Sequence, residues 1–173
     1  YVTRQPLSAF SEQALARASE MLFNAGKLTE ALELFDRLET VSNNPWNKVR
    51  ALAGKMRCNF RMEKFRNAID DAAKLTKAEK VTPELTREAS YVSAKSYYML
   101  GNYDQALPGL QEASAETNTA GGAEAKYLLA DVYFKKQNLA ASEKEIMDFI
   151  NKGTSHQFWL AKSFILLSDI YVA

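Results

Sequence analysis

The segment YYMLGNYDQALPGL, residues 97–110, contains a pattern that recurs along the chain. Two tyrosines and an apolar pair lead into Gly101, and Tyr103 is followed three residues later by Ala106. The position of Ala106 recurs at spacings of 36 to 38 residues, as Ala31, Ala68 and Ser142. A repeat of this length indicates stacked helical units, each of which buries its apolar face against its neighbours.

Each repeat is predicted to consist of two helices joined by a short turn. In the third repeat Tyr91, Ala94 and Tyr98 follow helical spacing, and Gly101 offers the left-handed conformation that a helix C-terminus prefers. Helix starts are predicted where an N-capping residue precedes proline, at residues 82–84 and 44–46. The small residues at the Ala106 position allow the two helices of a pair to approach closely.

Two local features of the sequence interrupt this pattern. Pro108 and Gly109 fall inside a predicted second helix, so we expect a kink or a late helix start there. Gly121 and Gly122 are interpreted as part of an inter-helix connection.

Composition and charge exclude several classes of function. Lys and Arg total 22 against 21 Asp and Glu, and a net charge of +1 gives no extended basic surface, so we expect no nucleic-acid partner. No apolar run approaches the roughly 18 residues of a membrane helix. Cys58 is the single cysteine and His156 the single histidine of the sequence. We therefore expect no disulfide within the chain, no metal site built from cysteine and histidine, and no catalysis by a Cys–His pair. We therefore predict a non-enzymatic protein without catalytic residues, metal or cofactor.

The order of small residue, aromatic, glycine, aromatic and alanine resembles the tetratricopeptide repeat. The matching residues are Ala94, Tyr97, Gly101, Tyr103 and Ala106 in the third unit, Gly26, Leu28, Ala31 and Phe35 in the first, and Ala130, Tyr133 and Leu139 in the fourth. The resemblance implies an all-α fold, a right-handed α-α superhelix or solenoid of about four and a half helix-turn-helix repeats. We predict one solenoid domain over residues 1–173, with repeats near 12–45, 49–82, 87–119 and 123–154 and an incomplete fifth at 161–173.

The repeats are longer than is common in the tetratricopeptide family, and this length resembles that of particular members. The family's common period is about 34 residues, and these longer units resemble tetratricopeptide proteins of bacterial envelopes, including outer-membrane-assembly, Tol-Pal-associated and Bacteroidetes groups. This resemblance alone implies a periplasmic or outer-membrane-associated location. The chain begins without methionine and stops inside a repeat, so we expect a fragment of a longer protein. The apolar last helix either caps the solenoid itself or is covered by the continuing chain or by a partner, and continuation is favoured. In isolation this uncapped end predicts an end-to-end dimer.

The resemblance also indicates where a partner would bind, because first helices line the concave groove of the tetratricopeptide fold. An aromatic stripe contains Phe23, Phe60, Tyr98 and Phe134, and a charged stripe contains Glu20, Arg57, Lys95, Asp131 and Asp169. The rings either pack between repeats or form a partly exposed floor for a ligand. The charges either pair along the stack, with Arg57 beside Glu20 and Lys95 beside Asp131, or bind a partner.

Residues 48–66 add a local excess of seven basic residues over one acid, Glu63. Arg50, Arg57 and Arg61 share the groove-facing stripe, which predicts a basic groove for an acidic segment or a C-terminal carboxylate. The family's carboxylate-clamp signature is absent, because Ala16 and Glu20 occupy its lysine and asparagine positions.

The hypothesis is a non-catalytic protein–protein interaction scaffold that holds a protein segment in its groove, as part of a bacterial envelope protein. The predicted contact residues are Arg57, Phe60, Arg61, Lys95, Tyr98, Asp131 and Phe134. Two alternatives stay open: a glycan-binding outer-membrane lipoprotein segment, or an accessory or spacer domain of a larger enzyme.

Overall fold

The computed structural model describes residues 9–172, which form nine α-helices and no strand. The helices are α1 (Ala9–Asn24), α2 (Leu28–Val41), α3 (Pro45–Arg61), α4 (Phe65–Thr76), α5 (Pro83–Met99), α6 (Tyr103–Ala113), α7 (Ala120–Lys135), α8 (Leu139–Lys152) and α9 (Gln157–Val172). Odd-numbered helices are the first helices of the repeats and even-numbered helices are the second. The predicted all-α fold of about four and a half helix pairs is confirmed.

The turn that ends each first helix is built in the same way in four repeats. Its central residue has positive φ: 77° at Gly26, 59° at Glu63, 76° at Gly101 and 60° at Gln137. In the first turn, the N–H of Gly26 donates to the carbonyl of Phe23 and the next N–H to that of Leu22, and the other three turns repeat both bonds. This is the Schellman arrangement, which satisfies carbonyls at a helix end. The predicted left-handed glycines are confirmed.

The predicted helix starts are also confirmed. α3 begins at Pro45, and the side chain of Asn44 accepts the N–H of Trp46 at 2.9 Å. α5 begins at Pro83, and Thr82 Oγ1 accepts the N–H of Leu85 at 3.3 Å. Proline costs nothing at these positions because the first N–H groups of a helix have no partner inside it.

Of the two alternatives at Pro108, a kink or a late helix start, the late start is wrong. The helix runs from Tyr103 through Pro108 to Ala113. Ala106 and Leu110, on either side of the proline, are both 0 % exposed. Their burial holds the helix in place although one backbone hydrogen bond is missing.

The interpretation of the glycine pair as a connection is also wrong, because Gly121 and Gly122 lie in the first turn of α7. The N–H of Gly122 donates to Thr119 Oγ1 at 3.0 Å, which caps the helix. A Cβ on Gly122 would lie 2.0 Å from the carbonyl oxygen of Glu116. The helix therefore begins against the preceding loop, and only glycine fits there.

The described residues form two compact units, one ending at Ser96 and the other beginning at Tyr97. In the first unit, which we call unit 1, one apolar cluster contains Ala31, Phe35 and Cys58 and a larger one surrounds Met56 and Leu75. In unit 2 the cluster contains Ala130, Ile146, Leu166 and Ile170. The four small anchor residues, Ala31, Ala68, Ala106 and Ser142, are all 0 % exposed. Close packing of the helix pairs depends on these positions.

Candidate functional site

A cavity of about 300 Å³ lies among the first helices of unit 1. It is lined by Glu20, Phe23, Asn24, Phe35, Arg50, Ala53, Gly54, Arg57 and Leu85. We call it the unit-1 cleft. Residues from α1, α3 and α5 meet here because helices that repeat at a fixed period present the same face in successive repeats.

The floor of the unit-1 cleft is apolar and depends on two small residues. A Cβ on Gly54 would lie 2.3 Å from Cζ of Phe35, so the buried Phe35 ring lies directly against the α3 backbone. Ala53, which also lines the cleft, has only a methyl side chain. Phe23 and Leu85 complete the apolar lining. The arrangement leaves space for a side chain from outside the chain.

Ion pairs form the rim of the cleft. Arg50 donates to Glu20 Oε1 from Nε at 3.0 Å and from Nη2 at 2.7 Å. Arg57 is bidentate on Glu88, with Nε at 2.6 Å and Nη2 at 2.5 Å from its two carboxylate oxygens. The hydrogen bonds to Glu88 raise the pKa of Arg57 against the effect of burial. Glu20 thus bonds Arg50 rather than Arg57, and much of the predicted basic charge is neutralised by neighbouring helices.

Arg61 differs from these two arginines. Its guanidinium carbon lies 5.0 Å from the centre of the Phe23 ring, and Nη1 donates to the Phe23 carbonyl at 3.4 Å. Within residues 9–172 no carboxylate forms an ion pair with it. Arg61 is exposed, so it offers an available cation beside the cleft.

The other two predicted residues of unit 1 form a separate contact. The ammonium of Lys95 lies 5.3 Å from the ring centre of Phe60 and 5.9 Å from that of Tyr91. Phe60 also meets Phe65 edge-on, with ring centres 5.9 Å apart. Phe60 packs against the apolar cluster around Met56 and is only partly buried, so its ring packs between helices and keeps an accessible part.

In unit 2, Tyr98 and Asp131 are brought together and Phe134 is not. The Tyr98 hydroxyl donates to Asp131 Oδ2 at 2.5 Å, and the ammonium of Lys135 donates to the same oxygen and to the hydroxyl. Burial, and then this hydrogen bond, raise the pKa of the Tyr98 phenol. Asp131 is only 6 % exposed and orients its two partners. Phe134 packs against the apolar cluster that contains Ile146.

Sequence comparison among the repeats explains why the cleft is open in unit 1. The position of Ala53 is occupied by Tyr91 and Tyr127 in later repeats, and that of Leu85 corresponds to Trp159. In unit 2 the rings of Tyr127 and Trp159, at the positions equivalent to Ala53 and Leu85, lie 5.6 Å apart. The signal in the sequence was an alanine where later repeats have tyrosine. Reasoning from charge and aromatic stripes missed it.

Chemically reactive groups are few in the described part of the chain. Cys58 is fully buried, and burial raises the pKa of its thiol to about 11, which makes it a poor nucleophile. His156 precedes α9 and places Nε2 3.2 Å from the carbonyl of Asn118, a contact between loops. No cluster of metal-ligating side chains occurs within residues 9–172. Nor does any helix in that range combine the length and apolar character needed to span a membrane.

These features define a helical-repeat protein with an open cleft in unit 1. The family described as "Tetratricopeptide repeat" matches residues 60–120 and 91–148, together just over half of the chain. The chain therefore belongs to the tetratricopeptide repeat family, whose members act as protein-interaction scaffolds. A solved structure titled "MamA RS-1 ArsTM double mutant" is similar, with a TM-score of 0.65 and 17% identity over 92% of this chain and 94% of that chain. At this identity the likeness shows the fold alone. No curated protein matches the sequence.

Proposed function

We propose that this protein holds a segment of a partner protein in the unit-1 cleft, without catalysing a reaction. The observation that carries the proposal is an open cavity of about 300 Å³ with an apolar floor and a charged rim, in a family of interaction scaffolds. Binding sites in proteins commonly combine an apolar interior with a few fixed polar groups. Interfaces in turn depend on one or two anchor side chains that fill such a pocket.

The lining defines the chemistry of the segment. Phe23, Ala53 and Leu85 would contact one apolar anchor side chain, whose burial contributes about 1.5–3 kcal/mol. Arg61 would pair with an acidic residue next to that anchor, because no carboxylate of the described chain occupies it. The rim pairs, Arg50–Glu20 and Arg57–Glu88, would then fix the orientation of the segment.

The remaining predicted contact residues extend the proposal. In unit 1, Phe60 and Lys95 present a ring with a cation over it. In unit 2, Tyr98 and Lys135 are held by Asp131, so we assign Asp131 a positioning role and Phe134 a secondary contact.

We further propose a bacterial envelope context, supported by the repeat length of 36–38 residues. Glycan capture is less favoured, because the described helix connections are short and contain no inserted loop.

The test is to fill the cleft. Ala53→Tyr introduces the residue that two later repeats carry at this position, so it is compatible with the helix and blocks the cavity. Arg61→Glu reverses the available charge. Arg66→Glu makes the same charge change at an exposed residue of α4 that does not line the cleft and serves as the matched control.

Proteins captured from a lysate of the source by the wild type are identified, and the affinity of each for the variants is measured by titration calorimetry. We expect Ala53→Tyr and Arg61→Glu to weaken binding at least about tenfold, equivalent to about 1.4 kcal/mol, while Arg66→Glu binds normally. Circular dichroism checks that each variant is folded. Equal affinity of all three variants would show that the unit-1 cleft is not the binding site.

A further inference from the structure

Three aromatic side chains of unit 2 surround the ammonium group of Lys162. The nitrogen lies 5.1 Å from the ring centre of Tyr127 and 5.4 Å from those of Phe158 and Trp159. All three distances are within the range of a cation–π interaction. We call the three rings the aromatic cage.

Local sequence and packing build the cage together. Phe158 and Trp159 precede Lys162 by four and three residues on α9, so the three side chains share one face of the helix. α7 supplies Tyr127, whose ring is tilted 31° to that of Trp159, and Phe158 meets Trp159 edge-on with centres 4.9 Å apart. Phe158 is 64% exposed, so the cage is open to solvent on one side.

The electrostatic surroundings favour a cation at this point. The face of an aromatic ring carries negative potential. Burial, and after it the negative charge of Asp131, raise the pKa of Tyr127; Lys135 acts in the opposite direction and Asp169 adds to the rise. Within residues 9–172, Lys162 forms no ion pair with a carboxylate, so aromatic rings are the contacts that hold its ammonium group in place.

We propose that the aromatic cage is a binding site for a lysine side chain of a partner polypeptide, and that Lys162 occupies it until the partner binds. The occupant is argued from Lys162 itself, because its ammonium shows which group the three rings accommodate. Exchange replaces one primary ammonium by another of the same chemistry. Lys162 is exposed and gives up no ion pair when it moves into water, so the exchange costs little. The site does not depend on the unit-1 cleft.

The two tryptophans of the chain make a direct experiment possible. Trp46 lies on α3 of unit 1 and is 54% exposed, so Trp46→Phe leaves Trp159 as a reporter inside the cage. The probe is the lysine analogue Nα-acetyl-lysine N-methylamide, and its Nε-acetylated form is the uncharged control. Trp159 fluorescence is titrated with both probes in the Trp46→Phe background, with Lys162 present or replaced by alanine.

The expected result is a saturable change with the charged probe, about tenfold tighter in Lys162→Ala than with Lys162 present, because the internal competitor is gone. The acetylated probe should give no saturable change. Adding Phe158→Ala, which removes a largely exposed ring, should weaken the charged probe in the Lys162→Ala protein. A parallel titration with choline tests whether the cage prefers a quaternary ammonium headgroup to the primary ammonium of a lysine.

Three outcomes would overturn the proposal. The first is no saturable response to the charged probe when Lys162 is absent. The second is an equal response to the charged and acetylated probes, which would indicate an apolar patch. The third is saturation by choline but not by the lysine analogue, which would assign the site to a quaternary ammonium headgroup rather than a polypeptide.

Discussion

The left-handed turn at Glu63 predicts that replacing this residue by glycine stabilises the protein. Glu63 has φ 59°, and the equivalent turns at Gly26 and Gly101 have the same hydrogen bonds with glycine at this position. An L-residue in this conformation costs about 1–2 kcal/mol. Replacing Glu63 by glycine removes this cost, but the greater freedom of glycine in the unfolded chain lowers the stability by about 0.4–1 kcal/mol. We therefore expect Glu63→Gly to raise the free energy of unfolding by about 0.5–1 kcal/mol.

The assay is urea unfolding followed by circular dichroism, with the transition midpoint compared at constant slope. Thermal unfolding should shift upward by about 1–4 °C for a chain of this size. The side chain of Glu63 is exposed and makes no ion pair in the described structure, so its removal loses no contact. Gly101→Ala is the reciprocal variant. A Cβ there would meet nothing within 4 Å, so its expected loss of about 1 kcal/mol is purely conformational.

Glu63→Ala separates backbone conformation from charge, because alanine removes the carboxylate but keeps the Cβ. It should leave the midpoint unchanged. If Glu63→Ala and Glu63→Gly raised the midpoint equally, the cause would be the charge, and the conformational explanation would be wrong. An unchanged midpoint in both Glu63→Gly and Gly101→Ala would refute it as well.

Two further substitutions test contacts at the candidate sites. Gly54→Ala places a Cβ 2.3 Å from the buried Phe35 ring and should lower the unfolding free energy, measured in urea, by about 1–2 kcal/mol. Adding Phe35→Leu should recover part of this loss. Strict additivity of the two changes in unfolding free energy would contradict the contact. Tyr98→Phe removes the donor to Asp131 and should cost about 1–2 kcal/mol near pH 7. The folded pKa of this phenol is raised above its ordinary value near 10, so its stabilising contribution is present below pH 10 and is lost as the pH rises further. In urea unfolding experiments at increasing alkaline pH, the unfolding free energy of the wild type should therefore fall more steeply than that of Tyr98→Phe. Parallel curves of unfolding free energy against pH would contradict this.

Helices, turns and caps were predictable from the sequence because neighbouring residues determine them. The apolar period, the glycine turns at Gly26 and Gly101 and the N-terminal caps depend on interactions within a few residues. Local rules failed where packing opposed them. Burial of Ala106 and Leu110 keeps α6 helical through Pro108, and Gly122 begins a helix because it lies against the loop carbonyl of Glu116.

The candidate sites were predictable only as stripes of residue type. A stripe shows which side chains share a helix face, but it does not show which neighbouring helix supplies the partner. Arg57 meets Glu88 and Arg50 meets Glu20 because residues about 30 positions apart are brought together by packing. By itself the sequence determined a tetratricopeptide-like array of helix pairs, since local propensity and a regular period suffice for that. Tertiary structure decided which charges are neutralised, where a cavity stays open and where three rings enclose a lysine, because these depend on the close approach of side chains distant in sequence.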